Sequence, residues 1–151
     1  MTILHNILKT HTQTTHATNA GTQMHARLQS VFINDNKSTG DADLITKISA
    51  HPEIAKLFAP TSQTEVPIAG TINNKFISRR IDRLLIDDTT KTIHILDYKT
   101  DVNPAEFRHK YIMQIHEYIT LLHQMYPSYT ICGYILWTHN FSLEKLPIKP
   151  L

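Results

Sequence analysis

The sequence predicts an α/β fold in which helices flank a mixed central β-sheet. Two apolar runs of strand length, residues 76–87 and 92–99, are separated by a short polar stretch, which predicts an antiparallel hairpin. A long helical pattern over 104–125 then precedes a third apolar run at 130–138. A strand, helix, strand order joins parallel neighbours through a right-handed crossover, so the sheet is predicted to be mixed.

The chain length predicts one domain with its own core. At 151 residues there is no room for a second domain, and we assign the domain to residues 21–151. Residues 1–20, rich in Thr and His, are interpreted as a tail or a helix. Two further helices are predicted near 43–49 and at 52–58.

A helix is also predicted over residues 21–29. Met24 and Leu28 give it an apolar face, which places His25 beside that face. The chain contains ten histidines, so the alternative interpretation of His25 is a surface residue or a hydrogen-bonded core residue.

The predicted hairpin brings two acidic residues together. The strands before the long helix are expected at 64–70, 76–87 and 92–99, and pairing of the last two sets Asp82 opposite or diagonal to Asp97. Two carboxylates this close repel unless a positive group lies between them. A divalent metal bound by oxygen ligands is the usual solution, and phosphodiester hydrolysis is the chemistry that uses it.

A lysine lies beside the second acid. Asp97 and Lys99 share one face of their strand while Tyr98 points to the other, because successive side chains of a strand alternate. A lysine in this position can polarise or orient a metal-bound water. The alternative is an exposed acid–base pair at a strand end, without a catalytic role.

The long helix has a clear start and a polar stripe. Asn103 is a predicted N-cap, followed by Pro104 at the first helical position. Gln114 and Tyr118 lie one turn apart on a face shared with Tyr111. Because this helix follows the acid–lysine strand, the stripe is interpreted as facing a substrate. The alternative is half-buried aromatic packing.

The charge balance is weakly basic. Fifteen Lys and Arg against thirteen Asp and Glu give a formal net charge of +2, which is too small to indicate nucleic-acid binding by itself. A local basic rim around the acidic pair is one interpretation of six residues, and a solvated charged face is the other. These residues are Arg79, Arg80, Arg83, Arg108, His109 and Lys110.

Cysteine content and hydropathy exclude some classes of protein. The single cysteine, Cys132, cannot form an intrachain disulfide or hold an iron–sulfur cluster. We see no apolar stretch long enough to span a bilayer and no signal peptide, so we expect a cytoplasmic protein with no membrane partner.

The ordered set of motifs resembles the RecB-like branch of the PD-(D/E)XK nucleases, and in particular the AddA-type nuclease domains of helicase–nucleases in their alphaproteobacterial form. The resemblance covers the chain from about residue 20 to its end. The matching segments are residues 21–29, 65–70, 81–84, 97–100, 111–114 with Tyr118, and 135–138.

The resemblance implies a PD-(D/E)XK, restriction-endonuclease-like core and a set of residue roles. Metal ligands would be the side chains of His25, Asp82 and Asp97 and the carbonyl of Tyr98, with Mg²⁺ or Mn²⁺ as the metal. Lys99 would act on the attacking water and Glu65 would lie near the site. Gln114 and Tyr118 would line the nucleic-acid side. Tyr111, on the same helix face, and Arg83, from the basic rim, are the other predicted contacts with nucleic acid.

The function implied is a metal-dependent deoxyribonuclease of double-strand break repair and recombination, acting on single strands or ends of DNA. A helicase subunit or domain is the expected partner, since the chain has no Walker motif of its own. The alternative is a non-catalytic nucleic-acid- or protein-binding module that retains the nuclease fold.

Overall fold

The fold is built on a five-stranded sheet with the spatial order β1-β2-β3-β4-β5. The computed structural model describes residues 20–102 and 104–147. Neighbouring strands are antiparallel except β3 and β4, which are parallel. The strands are β1 (Gln63–Ile72), β2 (Lys75–Asp87), β3 (Thr92–Lys99), β4 (Thr130–Trp137) and β5 (Ser142–Leu146).

In the part of the chain that the structure describes, four helices flank the sheet. Helix α1 occupies residues 20–29 of the described part. The others are α2 (Ala42–Ser49), α3 (Pro52–Ala55), which continues into a 3₁₀ turn (Lys56–Phe58), and α4 (Pro104–Met125). Asp41 caps α2 by accepting from the Leu44 N–H at 3.0 Å. The Arg27 guanidinium and this N–H hold the pKa of Asp41 at about 2.

The sheet separates two apolar cores. One face packs against α4, whose Ile115, Ile119 and Leu122 contact residues such as Ile93 and Ile135. The other face packs against α1, α2, α3 and the 3₁₀ turn. The architecture is therefore a three-layer α/β/α arrangement, and among the described elements α4 covers the face that carries Asp97 and Lys99.

Two glycines let α4 approach the sheet closely. A Cβ at Gly133 on β4 would lie 2.6 Å from Ile115 Cγ2, and one at Gly70 on β1 would lie 2.8 Å from Leu121 Cδ2. Both distances are too short for an added Cβ, so a larger residue at either position would force the facing side chain of α4 to shift. The close approach brings the middle of α4 over the end of β3.

The main elements of the fold agree with the sequence prediction. The hairpin between β2 and β3, the helix α4 and the parallel β3–β4 pair are all present. Strand β5 was not predicted, and β1 is longer than the predicted 64–70. The β5 sequence is short and contains Glu144 and Lys145 between its apolar residues, so its pattern differs little from a polar loop.

Two predictions lie outside the described residues. These are the assignment of a tail or helix to residues 1–19 and the N-cap at Asn103.

Candidate functional site

The site is built where the pairing of β2 is interrupted. Thr64 pairs with Arg83 and Val66 pairs with Ile81, but Glu65 and Asp82 between them form no pair. Glu65 has a φ of 52°, a left-handed conformation that is uncommon for a residue other than glycine. The β2–β3 ladder also stops short of Asp82, with Arg83↔Leu96 as its end pair. The chain is thus locally irregular at the predicted acidic residue.

Two buried carboxylates, those of Asp82 and Asp97, lie close enough here to repel each other. Asp82 is 9% exposed and Asp97 is 3% exposed. Asp82 Oδ2 accepts a hydrogen bond from the Tyr98 N–H at 2.8 Å, which takes the place of a ladder bond. Burial, followed by the charges of Asp97 and Glu65, raises the pKa of Asp82 to about 8, while the Tyr98 N–H and Lys99 oppose the shift. Burial and the charge of Asp97 thus favour the neutral form of Asp82.

Lys99 is the nearest cation to this pair. Its Nζ lies 2.9 Å from Asp97 Oδ2 and donates to Gln114 Oε1 at 3.1 Å. The contact with Asp97 is an ion pair without hydrogen-bond alignment, so the buried Asp97 Oδ2 has no hydrogen-bond partner in the described residues. The ammonium also lies 4.3 Å from the centre of the Tyr111 ring. Lys99 is therefore held from three sides.

A chain of hydrogen bonds fixes the orientation of the Gln114 amide. Tyr118 donates its hydroxyl proton to the Arg80 carbonyl at 3.2 Å, so its oxygen accepts from Gln114 Nε2 at 2.8 Å. The Gln114 carbonyl oxygen must then point towards Lys99. Through Tyr118, the Arg80 carbonyl of β2 thus determines which end of the Gln114 amide faces Lys99.

His25 contacts both acidic strands from the opposite side of the sheet. Its Nε2 lies 3.0 Å from the Tyr98 carbonyl, and its Nδ1 lies 3.8 Å from Asp82 Oδ1. The ring also packs edge-on against the Tyr98 ring, 5.5 Å between centroids. The structure therefore brings together three of the four predicted ligand groups: the His25 ring, the Asp82 carboxylate and the Tyr98 carbonyl.

The donor set fits a divalent ion only in part. Within the described residues, no three His, Cys, Asp or Glu side chains are positioned to hold an ion together. Mg²⁺, however, is usually bound through one or two carboxylates, with water and substrate oxygens completing the shell. The two crowded, buried carboxylates fit that mode of binding. His25 and the Tyr98 carbonyl bind each other in this arrangement.

A basic cleft opens beside Lys99. Its volume is about 670 Å³, and it lies between β2 and the N-terminal half of α4. Four of its lining residues carry or can carry positive charge, against the single acid Glu117, which pairs with Arg79 at 2.9 Å. The lining residues are Arg79, Lys99, His109, Lys110, Tyr111, Met113, Gln114 and Glu117.

Arg83 does not line this site, and its predicted contact with nucleic acid is wrong. The residue is 1% exposed. Its guanidinium donates to Tyr98 Oη, Ser62 Oγ and the carbonyls of Leu28 and Val31 at 2.7 to 2.9 Å. Four of the five guanidinium N–H donors are thus bonded inside the protein, and the side chain is too deeply buried to reach a phosphate. Arg83 instead ties α1 to the sheet.

The predicted contact of Tyr118 with nucleic acid is also wrong. At 1% exposure its ring is too deeply buried for contact with nucleic acid, and burial followed by the charges of Asp97 and Asp82 raises the pKa of its hydroxyl. Its partner Gln114 is only partly buried and does line the cleft, as does Tyr111.

The basic rim is only partly formed. Arg80 lies 3.6 Å from Glu65, and Arg108 forms an ion pair with Glu144. His109 and Lys110 reach the cleft.

One residue of the site was not predicted. Asp101 accepts a hydrogen bond from the Tyr111 hydroxyl and so holds the ring beside Lys99. Burial and this bond raise the pKa of Tyr111. The signal available in the sequence was an acid two positions after Lys99, which is weak by itself.

Comparison of the chain with protein-family models and with curated proteins finds no match. In the described residues, no helix is both long and apolar enough to cross a membrane.

Proposed function

We propose that the chain is a divalent-metal-dependent DNA nuclease with a PD-(D/E)XK core of the RecB-like, AddA type. The observation that supports this proposal is the buried pair Asp82 and Asp97 with Lys99 Nζ 2.9 Å from the second carboxylate, at the side of a basic cleft. Burying two carboxylates lowers the free energy of unfolding unless a cation compensates their charge. The arrangement therefore indicates a functional role rather than a stabilising one.

Asp82, Asp97 and the Tyr98 carbonyl would hold the ion, and His25 would join them by turning its Nε2 away from the carbonyl. Mg²⁺ or Mn²⁺ would supply Lewis-acid stabilisation of the phosphate and a lower pKa for a bound water.

Lys99 orients the nucleophile in this proposal. Its ammonium has one donor on Gln114 and is close to Asp97, which leaves a proton free for the attacking water or for a phosphate oxygen. The water oxygen bonds to phosphorus as the bond to the leaving oxygen breaks. The water proton passes to solvent, and the leaving oxygen takes up a proton from solvent to become a hydroxyl. The positive charge of Lys99 stabilises the negative charge that builds on the phosphate.

The cleft supplies the substrate contacts. Lys110 and His109 are available for phosphate oxygens, and Tyr111 and Met113 offer apolar surface to a base. Single strands or ends of DNA are the proposed substrate, since an unpaired base is free to lie against this apolar surface. A helicase subunit or domain, in double-strand break repair and recombination, would present that strand.

The direct test is cleavage of end-labelled single- and double-stranded DNA by the purified chain. Cleavage is expected with Mg²⁺ or Mn²⁺ and none with EDTA. The same preparation of an Asp97→Asn protein controls for contaminating nucleases.

A folded wild-type chain that binds DNA but does not cleave it under any of these conditions would contradict the proposal. That result would favour the non-catalytic binding module.

Tyr118→Phe tests the positioning of Lys99. Without the hydroxyl, Gln114 Nε2 loses its acceptor and the amide is free to turn its NH₂ group towards Lys99. We expect kcat to fall about tenfold or more with KM nearly unchanged, as for other groups that orient a reacting residue.

Tyr126→Phe is the matched control, since Tyr126 lies near the C-terminal end of α4, outside the site. Equal kcat values in the two variants, both with wild-type melting temperatures, would show that Tyr118 has only a packing role.

A further inference from the structure

Tyr111 is one of the three groups that hold the Lys99 ammonium. Lys99 Nζ lies over the face of the Tyr111 ring, 4.3 Å from its centre. The other two contacts are the ion pair with Asp97 and the hydrogen bond to Gln114 Oε1. The Lys99 side chain is only 16% exposed, so these contacts, rather than solvent, determine where its ammonium lies.

The Tyr111 ring is itself fixed at its hydroxyl and at its side. The hydroxyl donates to Asp101 Oδ2, and the Trp137 ring lies 6.1 Å away between centroids. Trp137 pairs with Lys99 on the neighbouring strand and donates its Nε1 proton to Glu144 at 3.0 Å. A change of the Tyr111 χ1 rotamer would carry the ring away from Lys99 and would break the bond to Asp101.

Asp101 affects the strength of the contact between Tyr111 and Lys99 as well as its position. Burial, together with the bond to Asp101, raises the pKa of Tyr111, so the hydroxyl keeps the proton that it donates. A phenol that donates to a carboxylate gains negative charge on its ring, because such a hydrogen bond is charge-assisted. That charge attracts a cation on the ring face. Asp101 can therefore act on Lys99 through the ring.

We propose that Asp101 is a positioning residue, which fixes the Tyr111 ring so that the Lys99 ammonium keeps the direction that orients the attacking water. This inference rests on the proposed nuclease function, in which Lys99 has that role. Asp101 lies two residues after Lys99 in the segment between β3 and α4, and Tyr111 lies on α4. The bond between them therefore ties this segment to the helix that covers the site.

The chain offers a matched set of the same three residue types outside the site. Asp88 accepts a hydrogen bond from the Tyr129 hydroxyl, and Lys91 Nζ lies 5.0 Å from the centre of the Tyr129 ring. Asp88 and Lys91 lie in the turn between β2 and β3, at the opposite end of β3 from Lys99. The same aspartate-to-alanine change can therefore be made in both sets.

NMR of the metal-free chain, with ¹³C-labelled lysine, tests the contact without cleavage. Protons held over an aromatic ring resonate upfield, so the ε-methylene signal of Lys99, identified by its loss in Lys99→Arg, should lie upfield of those of exposed lysines. In Asp101→Ala this signal should move downfield while the Lys91 signal stays in place. Asp88→Ala should have the reverse effect.

Steady-state cleavage tests the role of the contact in the reaction. Asp101→Ala should lower kcat about tenfold with KM nearly unchanged, whereas Asp88→Ala should change neither. Asp101→Asn removes the charge but keeps an oxygen that accepts the bond, so its kcat should lie between those of Asp101→Ala and wild type. Because Asp101 acts through Tyr111, adding Asp101→Ala to Tyr111→Phe should cause no further loss.

An unmoved Lys99 signal in Asp101→Ala would overturn the proposal. So would a rise in KM at constant kcat, since Tyr111 would then serve only as a substrate contact. Equal losses of kcat in Asp101→Ala and Asp88→Ala, or additive losses in the double variant, would also overturn it.

The two measurements separate this inference from the nuclease proposal. A downfield shift of the Lys99 signal in Asp101→Ala, in a chain that cleaves no DNA, contradicts the nuclease function alone. Metal-dependent cleavage with the same kcat in wild type and Asp101→Ala contradicts the positioning role alone.

Discussion

An Asp97→Asn protein is expected to lose DNA cleavage by at least about a hundredfold while remaining folded. The substitution keeps the shape of the side chain but removes one of the two charges that would hold a divalent ion. It also removes the ion pair that holds Lys99 Nζ 2.9 Å from this carboxylate. Both effects act on the reacting groups rather than on the fold.

Stability should change little in the same protein. The loss of the Lys99 contact is offset by relief of the repulsion between Asp97 and Asp82, which are both buried. Lys99 keeps its contacts with Gln114 and with the Tyr111 ring. A melting temperature in EDTA within about 4 °C of wild type is therefore expected.

Rates are best compared in single-turnover reactions with saturating Mg²⁺ or Mn²⁺. Asp35→Asn is the matched control, since it removes one exposed carboxylate in a loop outside the site. Unchanged cleavage by Asp97→Asn, or equal losses in the two variants, would contradict the assignment of Asp97 as a metal ligand.

Periodicity was sufficient to predict most of the fold. Strands β2 and β3 are long and apolar, and α4 begins and ends at clear proline signals, so their local sequence determines their structure. Strand β5 could not be predicted in this way. Its five residues are stabilised by pairing with β4 and by burial of Leu146, which are tertiary effects.

Alternation along β3 predicted the shared face of Asp97 and Lys99, and the structure confirms it. The approach of His25 to Asp82 from another element came only from the resemblance to a nuclease family. The periodicity of the sequence does not indicate which of the ten histidines contacts Tyr98 on β3, which lies 73 residues further along the chain than His25.

Sequence reasoning was wrong about Arg83 for a physical reason. Arginine is rarely buried, so its position next to Asp82 suggested a surface contact with phosphate. The Arg83 guanidinium instead donates to carbonyl and hydroxyl groups of distant segments. Its Cζ also lies 5.0 Å from the centre of the Phe32 ring and 4.2 Å from that of Phe58. Such a binding site exists only after the tertiary structure has formed.

Arg83→Met is expected to destabilise the protein by at least about 3 kcal/mol. The Leu28 carbonyl keeps the Val31 N–H as a donor at 3.1 Å, but the Val31 carbonyl, Ser62 Oγ and Tyr98 Oη lose the donors that Arg83 provides. Replacing a buried ion pair with apolar residues can stabilise a protein when both partners are replaced. Here the acceptors include backbone carbonyls, which a substitution leaves in place without a donor.

Urea unfolding measures the effect, with Arg79→Met as the matched control. Arg79 is partly exposed and forms a surface ion pair with Glu117, a contact worth about 1 kcal/mol or less. Because Arg83 joins the end of α1 to β3, its loss should also release His25 from the Tyr98 carbonyl and weaken metal binding in the molecules that remain folded. Equal unfolding free energies for Arg83→Met and wild type would show that the carbonyls find other donors and that α1 does not depend on this cation.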